Sequence, residues 1–166
     1  MKRQLLAACA LLLIHAAVGA AELRSFGRGE MARILDARQG RAFVLTLWST
    51  ECAHCKDTLR QLSALAQGRA GIDLVVVNTD NVGAKQTIAT MLAATGLSER
   101  DTWVFGDEAP ERLRFEIDRR WGGEMPRTYL FDRDHKTSAY SGPLGAAVLQ
   151  DWLARNAAGE AAHKTP

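Results

Sequence analysis

Several residue types that mark specialised chains are scarce in this sequence. The 166 residues include 4 prolines and 3 cysteines, and aromatic residues make up only 7% of them. With 14 glycines but so few prolines, the chain is neither collagen-like nor proline-rich. Hydrophobic residues account for 47% of the chain and charged residues for 24%, which supplies enough apolar side chains for a packed core. One globular domain is the expectation for a chain of this length.

An excess of either charge is also missing. The sequence has 21 basic and 19 acidic residues, which gives a formal net charge of +2. Two of the basic residues, Lys2 and Arg3, lie in an N-terminal segment that contains no acidic residue before Glu22. Nucleic-acid binding takes most of its affinity from a basic surface that neutralises phosphates, and this composition does not supply one. We therefore expect no nucleic-acid partner.

The N-terminal segment has the order of features typical of a secretory signal. Lys2 and Arg3 precede the apolar run Leu5–Val18, and small residues follow it. This run is shorter than the roughly 20 residues that cross a bilayer, and His15 interrupts it, so an uncleaved anchor is the less favoured alternative. Cleavage after Ala20 is expected, with residues 21–166 as the mature domain and the periplasm as its location.

The predicted export determines which cysteines the mature chain keeps and which chemistry they can perform. Cys9 lies inside the predicted signal, so its removal leaves Cys52 and Cys55 as the only two thiols of a protein in an oxidising compartment. A bridge between them closes a loop of about four residues and stabilises the fold by only about 2 kcal/mol, against about 3 kcal/mol for a 15-residue loop. The spacing therefore favours a chemical role for the pair over a purely stabilising one.

The remaining sequence alternates between strand and helix patterns. The apolar runs Ala42–Trp48 and Ile72–Val77 are typical of strands that are buried on both faces. The other predicted elements are helices at about 29–39, from the cysteines to Gly68, at about 83–95, from Pro110 to Trp121 and around 148–153, and strands at about 103–105, 128–131 and 138–140. This order predicts an α/β fold with a mixed central sheet, a C-terminal hairpin and helices on both faces.

The cysteine pair follows a predicted central strand and opens the next helix, which is where open α/β sheets place their sites. A free thiol is only about 3% thiolate at pH 7, and the thiolate is the form that attacks disulfides. The start of the helix, together with His54 and Lys56, stabilises a thiolate at Cys52, whereas Glu51 opposes it. We expect the pKa of Cys52 to lie below that of a free cysteine and Cys55 to be buried.

The segment Trp48–Lys56 (WSTECAHCK), placed directly after an apolar strand, resembles the active-site motif of the thioredoxin superfamily. Pro126, in the segment Met125–Asp132, aligns with the cis-proline that faces the cysteine pair in that superfamily, and Gly142 aligns with the glycine after the last strand. With its predicted signal and an extra helix and strand before Pro126, the chain is most similar to the extracytoplasmic TlpA/ResA-like branch. The similarity extends over about residues 23–155, and it implies a thioredoxin-like fold.

The resemblance further implies thiol–disulfide exchange without a metal or other cofactor. Cys52 would be the catalytic nucleophile and Cys55 the resolving thiol, while an extended substrate segment would pair with the backbone of Met125 beside Pro126. The residues expected to bind the substrate are Trp48, Glu51, His54, Met125 and Pro126. The implied partners are proteins that carry disulfides and a membrane thiol transporter as the reductant, and the chain is expected to be a monomer.

Two positions depart from the family pattern. Where many thioredoxins hold a buried acid that helps to move the proton of the resolving thiol, this chain has Thr46, which cannot ionise. Asp57 or Glu51, acting through water, are the candidates to replace that acid. Glu51 also stands where a second tryptophan is frequent in the branch, so the rim of the predicted substrate groove is more acidic here.

The sequence is compatible with three functions. The branch favours a reductase of exported proteins, with cytochrome c maturation as one setting, whereas His54 between the cysteines favours a more oxidising protein that introduces disulfides. The third reading is a copper-binding chaperone that uses Cys52, Cys55 and the distant His135. The reductase is the favoured hypothesis.

Overall fold

The computed structural model describes residues 23–68 and 72–162. The predicted signal at residues 1–20 lies outside the described residues and stays a prediction, as does its cleavage. The strands are β1 (Arg24–Phe26), β2 (Phe43–Trp48), β3 (Asp73–Asn78), β4 (Asp101–Phe105), β5 (Arg127–Phe131) and β6 (Thr137–Ser141). The helices are α1 (Glu30–Asp36), α2 (Cys55–Gly68), α3 (Lys85–Ala94), α4 (Pro110–Ile117) and α5 (Ala146–Ala162), with one 3-10 turn at Val82–Ala84.

The six strands form one sheet in the order β1-β4-β3-β2-β5-β6. The first four strands in this order run parallel to one another, while β5 is antiparallel to β2 and β6 is antiparallel to β5. The predicted mixed sheet with a C-terminal hairpin is therefore confirmed. Strand β1 was not predicted, because its three residues contain a single buried side chain, Phe26.

Every residue of β2 is buried, so both faces of the sheet are covered, as its unbroken apolar run indicated. On one face, Val44 and Trp48 pack with apolar residues of α2, α3 and α5. On the other face, Phe43, Leu45 and Leu47 pack with residues of α1 and α4. Because successive side chains of a strand point to opposite faces, one apolar strand serves both cores.

The structure corrects the predicted end of α4. Periodicity extended this helix to Trp121, but it ends at Ile117, and Asp118 has an extended backbone (φ −157°, ψ 113°). The Asp118 carboxylate accepts a hydrogen bond from the backbone amide of Arg120 at 2.9 Å, so it competes with helical hydrogen bonding. Residues 118–126 form a loop that leads into β5.

The register of β2 and β3 determines what lies around the cysteines. Trp48 pairs with Asn78, so the two strands end side by side at the same edge of the sheet. The segments that follow them, residues 49–54 and 79–81, therefore meet at this edge, as expected for parallel strands.

None of the helices within residues 23–68 and 72–162 has both the length and the apolar character needed to span a bilayer.

Candidate active site

Cys52 and Cys55 form a disulfide, with their Cα atoms 5.3 Å apart. Cys55 is fully buried and is the first residue of α2, whereas Cys52 is only partly buried and precedes the helix. The backbone amide of Cys55 donates to the Cys52 carbonyl at 3.2 Å, and the Cys52 amide donates to the Ser49 carbonyl at 3.3 Å. Of the two sulfur-bearing residues, Cys52 is the one that another molecule can reach.

The residues flanking the pair differ sharply in exposure. Trp48, expected among the substrate-binding residues, is fully buried in the same core cluster as Cys55. Its role in substrate binding stays a prediction. Glu51 and His54, also expected to bind the substrate, are both exposed.

The Met125–Pro126 peptide bond is cis, as the resemblance implied. Pro126 is buried immediately before β5, and its carbonyl accepts a hydrogen bond from the Gly142 amide at 2.8 Å. Gly142 has a left-handed backbone (φ 81°) that favours glycine. Within the described part of the chain, the backbone amide and carbonyl of Met125 make no hydrogen bond. These groups are available to pair with an extended segment.

Thr79 links residues 118–126, the proline loop, to residues 49–54, the cysteine segment, and sequence reasoning missed it. Its amide donates to the Trp48 carbonyl at 2.9 Å, and its hydroxyl donates to the Met125 sulfur at 3.2 Å. The structure thereby brings Met125 next to the strand end that leads into Cys52. This contact depends on the pairing of β2 with β3, so no local pattern could have indicated it.

Asp80 is the second residue that sequence reasoning missed. Its carboxylate accepts hydrogen bonds from the Ser49 hydroxyl (2.6 Å), the Thr50 amide and hydroxyl (both 2.8 Å) and the Asn78 side-chain amide (3.2 Å). Burial alone raises the pKa of Asp80, but these hydrogen bonds outweigh it and hold the pKa below its ordinary value. The only available signal was the polar run Asn78–Asn81 directly after a buried strand.

The proline loop is held from its other side by a second polar network. The Asp118 carboxylate accepts hydrogen bonds from Arg127 (2.9 Å) and from the hydroxyl of Tyr129 (3.3 Å). Burial raises the pKa of Tyr129 to about 12, so its phenol stays protonated. The indole of Trp121 donates to the Glu124 carbonyl at 2.9 Å, which fixes the chain just before Met125.

Thr46 stands where many thioredoxins hold a buried acid, and its side chain cannot ionise. Thr46 is fully buried, and its hydroxyl lies 3.3 Å from the hydroxyl of Thr128 on β5. Asp57, one of the two candidates to replace a buried acid, is 81% exposed and pairs with Arg60. Glu51, the other candidate, is also exposed. Proton movement at Cys55 therefore has no buried carboxylate at this position to assist it.

His135 lies at the opposite end of β2 from the cysteines. Its ring contacts Phe43, the first residue of β2, with ring centroids 5.6 Å apart, and its Nε2 lies 3.0 Å from the Arg38 carbonyl. The strand is about 16 Å long at about 3.3 Å per residue, so Cys52, Cys55 and His135 cannot share one copper ion. Among the described residues, no three His, Cys, Asp or Glu side chains are grouped as a metal site.

No protein-family model matches the chain, and no curated protein matches it. Solved structures do match it. A secreted disulfide oxidoreductase from Mycobacterium tuberculosis, homologous to E. coli DsbE, superposes with a TM-score of 0.55 at 20% identity, covering 72% of this chain and 85% of that one. A secreted thiol-disulfide isomerase from Corynebacterium glutamicum gives a TM-score of 0.55 at 16% identity, covering 70% and 71%.

A third similar structure is a thiol:disulfide interchange protein of the thioredoxin family from Chlorobium tepidum, with a TM-score of 0.53 at 18% identity over 73% of this chain and 83% of that one. The chain therefore has the thioredoxin-like fold of thiol–disulfide oxidoreductases, and the predicted fold class is confirmed. Cys52 and Cys55 form a disulfide within this fold.

Proposed function

We propose that this protein is an extracytoplasmic thiol–disulfide oxidoreductase that reduces disulfides of exported proteins. One observation carries the proposal: the Cys52–Cys55 disulfide lies at the end of the central strand, with Cys52 reachable and Cys55 buried. This asymmetry suits a pair in which one sulfur meets the substrate and the other acts only within the molecule. The secreted proteins among the similar structures support an extracytoplasmic location.

The reaction consists of two exchange steps. In the dithiol form, the Cys52 thiolate attacks one sulfur of a substrate disulfide; the substrate S–S bond breaks, a mixed disulfide forms, and the departing substrate thiolate takes up a proton. The Cys55 sulfur, as its thiolate, then attacks Cys52 and releases the second substrate thiol. The substrate gains two electrons, and the protein returns to the disulfide form. A membrane thiol transporter is the proposed donor that restores the dithiol.

The groove that would receive the substrate lies between the cysteine segment and the proline loop. An extended substrate segment pairs with the backbone of Met125, in the manner of an added strand. Pro126 donates no hydrogen bond, so it does not compete for the reacting sulfur. Glu51 and His54 form a polar rim, which favours a substrate with polar groups beside its disulfide.

The resemblance to the TlpA/ResA-like branch favours the reductase over the oxidase. A stabilised thiolate raises the reduction potential of a dithiol pair, and a neighbouring negative charge lowers it. Glu51 acts in the second direction and His54 and Lys56 in the first, but all three side chains are exposed, so solvent screens each of them. Cysteine pairs of apocytochrome c are one substrate class that this activity would serve.

The direction of electron flow tests the proposal. The dithiol form is mixed with an oxidised model protein such as insulin, and the disulfide form is mixed with reduced insulin, and the thiols are counted by alkylation and mass measurement. We expect the first mixture to react to near completion and the second to remain largely unchanged. The reverse outcome would assign the oxidase function that His54 between the cysteines favours.

A further inference from the structure

We infer that Asp80 is a positioning residue for Cys52, and that its charge keeps the cysteine pair reducing. This inference rests on the proposed exchange activity and deepens it. Asp80 is separated from the cysteine motif in the sequence and meets it only because β2 and β3 pair in parallel and end at the same edge.

Hydrogen bonds to Asp80 hold the segment before Cys52 in place. One carboxylate oxygen of Asp80 accepts from the Ser49 hydroxyl, and the other accepts from both the amide and the hydroxyl of Thr50. The Ser49 hydroxyl in turn accepts a hydrogen bond from the Glu51 amide at 3.1 Å. The Ser49 carbonyl accepts one from the Cys52 amide at 3.3 Å. All three residues before Cys52 are therefore anchored to one carboxylate, directly or through Ser49.

Asp80 is itself fixed from β3. The Asn78 side-chain amide donates to the Asp80 carboxylate at 3.2 Å, and the Asp80 amide donates to the Asn78 side-chain oxygen at 2.8 Å. Asn78 is fully buried at the end of β3. The reciprocal hydrogen bonds between Asn78 and Asp80 therefore hold the cysteine segment in place against β3. Such fixed positioning suits Cys52, which must meet a substrate disulfide in line.

The Asp80 carboxylate also lies close enough to Cys52 for its charge to act there. The carboxylate lies 2.8 Å from the Thr50 amide, and two residues of chain span at most about 7 Å, so its negative charge lies near Cys52. A like charge at this range disfavours the thiolate and lowers the reduction potential of the pair. The other charged groups around Cys52 are Glu51, His54 and Lys56, all exposed and screened by solvent.

The decisive variant is Asp80→Asn, which keeps an acceptor oxygen but removes the charge. We expect the midpoint of Cys52 alkylation against pH to fall by about half a unit to one unit. The equilibrium constant for reduction by glutathione is expected to rise about three- to tenfold, which corresponds to about 15–30 mV. A change that only loosened the fold would not move both quantities in this direction.

Asp132→Asn is the matched control. Its carboxylate also holds a turn, accepting from the amides of Asp134 (3.0 Å) and Lys136 (2.8 Å), but it lies in the β5–β6 turn, at the end of the sheet opposite the cysteines. The control is expected to leave the alkylation midpoint and the glutathione equilibrium unchanged.

A second variant separates positioning from charge. Ser49→Ala removes the hydroxyl that links the Asp80 carboxylate to the Glu51 amide but keeps the Asp80 charge. We expect mixed-disulfide formation to slow by about tenfold while the alkylation midpoint stays unchanged. The inference is overturned if Asp80→Asn has the midpoint and equilibrium of the wild type, or if Ser49→Ala reacts at the wild-type rate. A wild-type protein that does not exchange with glutathione would instead overturn the proposed function.

Discussion

Alanine at Cys55 is expected to leave the protein covalently joined to its substrate, whereas alanine at Cys52 is expected to abolish the reaction. The reason is the difference in burial, because Cys52 meets other molecules and Cys55 is fully enclosed. Without Cys55, the mixed disulfide has no internal thiol to resolve it. Turnover should fall by about 10³-fold or more in both variants, but only Cys55→Ala should accumulate the adduct.

The adduct is measured by mass spectrometry of Cys55→Ala after incubation with an extract of exported proteins, with Cys52→Ala as the matched control. The proteins captured by the first variant and absent from the second are the substrates. Apocytochrome c among them would support the cytochrome c setting. Equal capture by both variants, or normal turnover by Cys55→Ala, would contradict the assigned roles of the two thiols.

Arg38→Ala is expected to reduce the free energy of unfolding by about 3 kcal/mol. The Arg38 guanidinium, with only 9% of its side chain exposed, donates to Asp73 at 3.1 Å and to Asp101 at 2.7 Å. These carboxylates begin β3 and β4, and their side chains are 23% and 16% exposed. Removal of the arginine leaves two largely buried negative charges with only peripheral partners.

Arg33→Ala is the control for this prediction. Arg33 lies in α1, its side chain is 74% exposed, and its one ion pair among the described residues is with Glu30 one turn away, so a loss within about 0.5 kcal/mol is expected. Urea unfolding of the two variants gives the comparison. Similar losses in both would show that the buried ion cluster does not stabilise the sheet. The exchange rate per folded molecule should be unchanged, because the cluster lies at the start of the parallel strands, away from the disulfide.

Local pattern was sufficient for the strands and helices that position the cysteines. The apolar runs of β2 and β3 predicted the parallel centre of the sheet, and the helical spacing of apolar residues after Cys55 predicted α2. The hydrophobic pattern did not predict a helix end at which a side chain competes with the backbone for hydrogen bonds. Asp118 ends α4 early, and the apolar residue Trp121 is buried from a loop instead of a helix.

The contacts between residues far apart in the sequence could not be predicted, because they depend on how the strands pair. Thr79 and Asp80 reach the cysteine segment only because Trp48 pairs with Asn78, and neither residue belongs to the Cys-x-x-Cys motif. The same topology separates His135 from the cysteines by the length of β2. The motif therefore located the disulfide, while the groups that hold it in place required the three-dimensional arrangement.

Cys52 and Cys55 are expected to exchange electrons with the thiols of other molecules. This exchange is measured by equilibration of the wild-type protein with glutathione buffers of graded composition, followed by acid quenching, alkylation and intact-mass determination. We expect two species that differ by two alkylated thiols and interconvert reversibly around a single midpoint. A protein that stays in one form across the whole series of buffers would contradict it.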